Sequence, residues 1–358
     1  MRMKKLIALL LALAMVFALA ACNNTNEEVS PSPSSPVTSE EPSPSPDDEP
    51  SHEPQGETVR LGVLSGPTGI GAAKLMSDSD AGTSANHYDY TIAADNSELV
   101  AGLSGTSSAQ TFDIATMASN AAVNLYNKTD GGIKIIALGT LGVLHILESG
   151  GGTSINSVAD LAGKTIWSAG QGANPEYVLR YILEQNGLDP DEDVTILFGE
   201  ASEIQQKLLS GEAEVAMLPV PAATAAILQS DGQIRAALDV TEEWNALNTG
   251  SQLIMTAVVA RTEYIEEHPE AVEVFLAEYE ASIDYVNSNV DDAAELVAGF
   301  GITPSAAIAK EAIPQCHLTY IAGADMAPAI SGYFSILYQA DPTSVGGALP
   351  DDAIYYVP

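Results

Sequence analysis

The segment Lys164-Thr165-Ile166-Trp167-Ser168-Ala169-Gly170-Gln171-Gly172-Ala173-Asn174-Pro175-Glu176 reads as a strand, a glycine-rich turn and the start of a helix. Thr165 to Trp167 are branched and aromatic residues, which suit a pleated strand. Gly170 and Gly172 give the turn its backbone freedom. Asn174 is placed as N-cap and Pro175 at the first helical position, where a missing N–H is no loss. The helix runs to Gln185, and a strand follows at Val194–Phe198. Strand, helix and strand at this spacing make a crossover unit with parallel strands.

The same alternation extends in both directions. Upstream, Val59–Leu64, Tyr90–Ala93, Asp113–Met117, Ile133–Gly139 and Leu144–Leu147 read as strands. One helix begins at Ala72, and another, capped by Asn96, runs to Leu103. Downstream, helical runs at Glu203–Leu209 and Ala222–Gln229 flank a strand at Glu214–Leu218. After a strand at Leu253–Ala260, four runs (Pro269–Val286, Ala293–Phe300, Ser305–Ile313, Asp325–Gln339) read as helices with no strand between them. The expected class is α/β, with mainly parallel sheets covered by helices on both faces. No period of about 20–50 residues recurs, which excludes solenoids and propellers.

A lone strand followed only by helices makes a poor domain of its own. It fits better as the chain crossing back to complete an earlier sheet. The expected arrangement is two lobes: residues 58–148 with 253–358, and residues 149–252. The crossings, near Gly139–Gly152 and Thr249–Thr256, would form the hinge.

The N-terminus carries Arg2, Lys4 and Lys5 before an apolar run from Leu6 to Ala21. A basic start and a short apolar stretch describe a secretory signal. The run is 16 residues long, short of the roughly 20 that span a membrane. It ends in Leu19-Ala20-Ala21-Cys22, which resembles the bacterial lipobox, with Cys22 as the lipidated residue and residues 1–21 as the signal. Residues 22–57 are dense in Pro, Ser, Asp and Glu. Such composition cannot bury enough apolar surface to offset its ordering entropy and reads as a disordered tether.

The whole chain has 13 Lys+Arg, 48 Asp+Glu and a net charge of −35. Three of the basic and nine of the acidic residues precede residue 58, so the body carries −29. Long-range repulsion makes nucleic acid and anionic lipid poor partners. Beyond Cys22, Cys316 is the only cysteine, so the body forms no internal disulfide and Cys316 reads as a small buried apolar residue.

In open α/β sheets, ligands lie beyond the carboxyl ends of strands, beside helix N-termini. Four loops occupy such places: Ser65-Gly66-Pro67-Thr68-Gly69, Ala118-Ser119-Asn120, Ala169 to Glu176, and Leu218-Pro219-Val220-Pro221. The candidate ligand-binding residues are Ser65, Gly66, Thr68, Ser119, Asn120, Gly170, Gly172, Asn174, Tyr177 and Pro219. Trp167, Tyr177 and Trp244 could supply a flat wall for a ring. None of the four loops holds Lys or Arg, which favours a neutral or weakly anionic solute.

Enzymatic signatures are missing. There is no Gly-x-Ser-x-Gly elbow and no Gly-x-x-x-x-Gly-Lys-Ser/Thr phosphate loop, and Gly69-Ile70-Gly71 lacks the third glycine of a dinucleotide site. The five histidines (52, 87, 145, 268 and 317) show no metal-ligand spacing. Asp189-Pro190-Asp191-Glu192-Asp193 lacks the glycine and terminal glutamate of a calcium loop. No enzyme, metal or cofactor is expected.

The order of three stretches carries a resemblance: Asn156 to Lys164 running into the glycine-rich turn, Leu188 to Val194, and Glu203 through Ser210-Gly211-Glu212-Ala213-Glu214 to Pro221. His268-Pro269-Glu270-Ala271-Val272, opening the helix after the return strand, extends it. The body resembles the type II periplasmic binding proteins of the SsuA/THI5-like group, which serve nitrate, sulfonate and thiamine-precursor importers. The resemblance implies two lobes closing on a small organic solute (sulfonate, pyrimidine or similar), and a monomer that delivers it to an ABC permease and its ATPase. The chain would then be extracytoplasmic and held to the membrane through lipid at Cys22 alone. Many members of the group carry an acidic residue in the fourth loop, where Leu218-Pro219-Val220-Pro221 is apolar. The relatives that are pyrimidine synthases carry a cysteine-rich motif, which a body with one cysteine lacks. A sensor that reports the solute to a signalling partner is the alternative from another class.

Overall fold

A computed structural model describes residues 56–107 and 110–358; Cys22 and nearly all of the expected tether lie outside the described residues. Among the described residues eleven strands form two sheets: β1 (Thr58–Leu64), β2 (His87–Ala93), β3 (Ile114–Ala118), β4 (Ile133–Thr140), β5 (Leu144–Glu148), β6 (Thr165–Ser168), β7 (Thr195–Phe198), β8 (Val215–Pro219), β9 (Arg235–Asp239), β10 (Thr256–Arg261) and β11 (Leu318–Ala322). The first sheet has the order β11-β4-β10-β3-β1-β2, and the second β7-β6-β8-β5-β9.

The α/β class stands, and its pairing is more mixed than the alternation alone implies. β1 pairs parallel with β2 and β3, and β6 with β7 and β8. β10 runs antiparallel between β3 and β4, β11 antiparallel to β4, and β5 antiparallel to β8 and β9. The reason is directional. β5 and β10 are the first strands after each crossing between the sheets, so they run away from it while their neighbours run toward it.

Three local readings change. Leu144–Glu148, grouped by sequence with residues 58–148, hydrogen-bonds in the second sheet between β8 and β9. A strand, β11, does interrupt the C-terminal helices. Asn96 is not a cap: Asp95 accepts from Ser97 and Glu98 N–H, while Asn96 Oδ1 accepts from Ala118 N–H at 2.9 Å.

The cores follow from the strand pattern. β3, β4 and β10 are almost wholly apolar and lie under helices on both faces, as buried strands require. One core joins Leu138 of the first sheet with Leu144 and Ile166 of the second, and includes Trp244 from the helix Val240–Ala246. The helix Met326–Ala340 packs on Asn174–Gln185, and its Tyr333 ring meets Trp244 edge-on at 5.6 Å. The helices Ala222–Gln229 and Ala306–Ala312 also touch. The ends of the two sheets are therefore pressed together.

Candidate functional site

Strand direction brings the ends of β1, β3, β4, β6, β8 and β9 and the beginnings of β5, β10 and β11 to the crossings. The loops found there are the four singled out in the sequence.

The glycine-rich turn works as its composition implies, with one change of role. Gly170 has φ +80°, and a Cβ there would stand 2.7 Å from the Pro175 ring. The N-cap of the following helix is Ala173, with no side-chain cap, and Asn174 lies inside the first turn. Its amide is used elsewhere. Asn174 Nδ2 donates to Ser119 Oγ at 3.1 Å and to Met255 O at 2.9 Å. Asn174 is 1 % exposed, and its Oδ1 has no partner.

Ser119 is the other half of this seam. It opens the helix Ser119–Lys128 and is fully buried. Its hydroxyl donates to Ile254 O at 2.8 Å while accepting from Asn174, and its N–H donates to Met255 O at 3.0 Å. Ser119 thus holds the return crossing and the second sheet's first helix in one network. Beside it, Asn120 is 3 % exposed; Nδ2 donates to Ser344 O at 3.4 Å and Oδ1 is unpartnered. Thr140 and Thr256, absent from the candidate binding residues, share a hydroxyl hydrogen bond of 2.8 Å at the end of β4 and the start of β10. The signal available for them was their place in the two crossings.

The remaining candidates divide. Gly172 and Asn120 both line a groove of about 440 Å³ together with Asn96, Ser97 and Lys128. Gly172 N–H already donates to Glu176 Oε2 at 2.8 Å. Thr68 is buried and its hydroxyl donates to Leu64 O within its own turn, so it offers nothing outward. Ser65 is half-buried, its N–H donating to Ala93 O at 2.9 Å. Gly66, at φ +96°, has open space where a Cβ would stand. Tyr177 is half-buried, with Thr343 as hydrogen-bond partner; desolvation, then Asp341 and Glu176, push its hydroxyl pKa up. Pro219 is half-buried at the end of β8, opposite Leu144.

The apolar fourth loop is a packing element. Val220 is fully buried in the core cluster that otherwise flanks the first sheet, and its N–H donates to Val143 O at 2.9 Å. The two tryptophans offer no free wall. Trp244 is buried in the core, its Nε1 donating to Ser251 O at 2.9 Å, and Trp167 lies 4.6 Å beneath Lys207 Nζ.

Near the crossings, β5 carries His145, 7 % exposed, with neither ring nitrogen partnered. Desolvation pulls its pKa below the ordinary histidine value; Asp239 raises it, His317 lowers it and Glu242 raises it. His317 Nδ1 donates to Gly142 O at 2.6 Å, tying β11's leading residue to the first crossing.

These residues place two unpartnered amide oxygens, Asn120 Oδ1 and Asn174 Oδ1, at buried positions near the crossings.

Comparison with known proteins agrees. The pattern of the NMT1/THI5-like family matches residues 106–293. No curated protein is similar enough in sequence to match. Among solved structures, an ABC transporter from Parabacteroides distasonis is 22% identical, with 84% of this chain and 98% of that one covered and a TM-score of 0.67. The periplasmic aliphatic sulphonate binding protein SsuA from Escherichia coli is 17% identical, covering 84% and 92%, at 0.66. The alkanesulfonate-binding protein SsuA from Xanthomonas axonopodis pv. citri, bound to MOPS, is 14% identical, covering 82% and 94%, at 0.59. At these identities the likeness is one of fold.

Proposed function

Because the chain belongs to the NMT1/THI5-like family, we propose that it is the extracytoplasmic solute-binding component of an ABC importer. The two sheets with their helices are its lobes, and a small organic solute is held where their strand ends meet. The observation that carries this reading is the seam itself. Ser119 and Asn174 come from loops of different sheets, both at helix starts, and meet within 3.1 Å. A cleft that opens at the two crossings would part this contact, and a solute would take its place. The structural neighbours named for sulphonates support a solute of that size, a sulfonate, pyrimidine or similar molecule.

The chain hands its solute on unchanged to a permease and its ATPase, and it works as a monomer. Lipid at Cys22 holds it at the membrane, and residues 22–57 let the body reach away from the surface. Native mass spectrometry of the gently purified protein tests the core of this reading. An added small-molecule mass should appear, vanish on unfolding, and match a compound whose uptake requires this gene. A protein that carries no small molecule, in cells whose uptake is unaffected by its loss, is not an importer component.

A further inference from the structure

The seam also constrains what the solute must carry. Asn174 Nδ2 sits against Met255 O at 2.9 Å; a carbonyl oxygen can only accept, so it must face the amide's N–H end and the amide cannot be flipped. Its Oδ1 is thereby fixed as an acceptor, buried and without a donor. Asn120 repeats the arrangement, with Nδ2 against Ser344 O at 3.4 Å and a buried, unpartnered Oδ1. The two residues open helices on different sheets. A buried acceptor left unpaired is costly, so a donor that meets either oxygen is favoured.

Acceptor-only anions cannot supply one. Against a sulfonate or nitrate these oxygens would be repulsive; no Lys or Arg among the described residues is fully buried to offset that, and Lys128, which lines the groove with Asn120, is exposed. The uncapped helix starts at Ser119 and Asn174 do favour negative charge. However, Ser119 N–H is already given to Met255 O, and Gly172 N–H to Glu176.

We infer that the solute bears at least one N–H or O–H donor that meets Asn174 Oδ1, with Asn120 Oδ1 placed for a second, and that this donor separates it from acceptor-only anions of the same size. The inference rests on the solute-binding reading and narrows it to donor-bearing solutes.

Matched probes isolate the donor: isethionate against ethanesulfonate, and 4-aminopyrimidine against pyrimidine, each titrated calorimetrically into the full-length protein. The donor-bearing member of a pair should bind at least tenfold tighter, and Asn174→Ala should bring the ratio close to one. Asn120→Ala, read the same way, keeps the test open if Asn174→Ala fails to fold. Equal affinities within a pair, or a ratio unmoved by both variants, overturn the donor requirement and leave solute binding standing. If none of the four probes binds, the co-purified molecule decides: one with an N–H or O–H donor supports the inference, and one without overturns it. No probe bound and no co-purified molecule overturns both readings.

Discussion

Asn174 Nδ2 and Ser119 Oγ lie 3.1 Å apart, and this contact fastens the first turn of a second-sheet helix to the first turn of a first-sheet helix. Ser119 is therefore as much a structural residue as a candidate ligand contact. It is fully buried and bridges Asn174 to Ile254 O. Ser119→Ala removes the hydroxyl donor to Ile254 O and leaves Asn174 Nδ2 with Met255 O alone, and should cost about 1–3 kcal/mol in a urea melt. Ser65 is half-buried, at the end of β1. Ser65→Ala should leave stability unchanged and weaken binding of the co-purified solute threefold to tenfold, the effect of losing one neutral hydrogen bond of about 0.5–1.5 kcal/mol. If Ser119→Ala melts like the wild type, the seam does not hold the two sheets.

His145 should make the fold sensitive to mild acid. Burial lowers its pKa in the folded state, the rise from Asp239 and Glu242 notwithstanding. The unfolded chain then binds the proton more readily than the folded one. The stabilising contribution is complete above the unfolded value, about 6.5, and is lost as pH falls below it. Unfolding free energies from pH 8 to 5 should decline below that point, and His145→Gln should flatten the decline. An equal slope in both proteins rules out His145 as its source.

Most of the framework was legible in the sequence, because burial on both faces writes itself as apolar runs such as Ile133–Thr140. Two strands were not. Arg235-Ala236-Ala237-Leu238-Asp239 is alanine-rich, with little β propensity, and becomes a strand by pairing at the edge beside β5. Leu318–Ala322 is a half-exposed edge strand with irregular register. The loops of the site were found by their places at strand ends, but the roles of their side chains were not. Asn174 has the residue type and neighbours of a cap, and its actual partners are 55 and 81 residues away. Thr68 likewise turns inward to Leu64 O. Local chemistry names the residues able to bond; only tertiary packing decides with whom.

Cys316 should be inert in the native protein. Desolvation alone pushes its thiol pKa up to about 12, and Sγ donates to Ala312 O at 3.3 Å. The thiolate is the reactive form, so labelling by a disulfide reagent at pH 8 should wait on unfolding and proceed quickly in denaturant. Prompt stoichiometric labelling of the folded body would contradict the burial.

If lipid at Cys22 is the attachment, replacing Cys22 with Ala should release the chain from membranes. Fractionation followed by immunoblotting reads the outcome. Equal membrane retention of the variant would exclude lipid at Cys22 as the attachment.

The second sheet should fold by itself only when β5 is included. A fragment of residues 153–250 follows the outline suggested by sequence, yet it omits the strand that lies between β8 and β9. Leu144, Ile146 and Leu147 of β5 are each no more than 1 % exposed. Burying such side chains contributes about 1.5–3 kcal/mol apiece, so losing all three removes an amount comparable with the ~5–15 kcal/mol that holds a whole domain together. β9 would also be left with no strand to pair with. Residues 142–250 restore β5 and both of its ladders. They still forgo the contact of Trp244 with Tyr333, so reduced stability is expected rather than loss of fold. In proton–nitrogen NMR spectra, 142–250 should give dispersed amide signals and 153–250 collapsed ones. Dispersed signals from 153–250 would mean that β5 is dispensable and that the second sheet ends at β8.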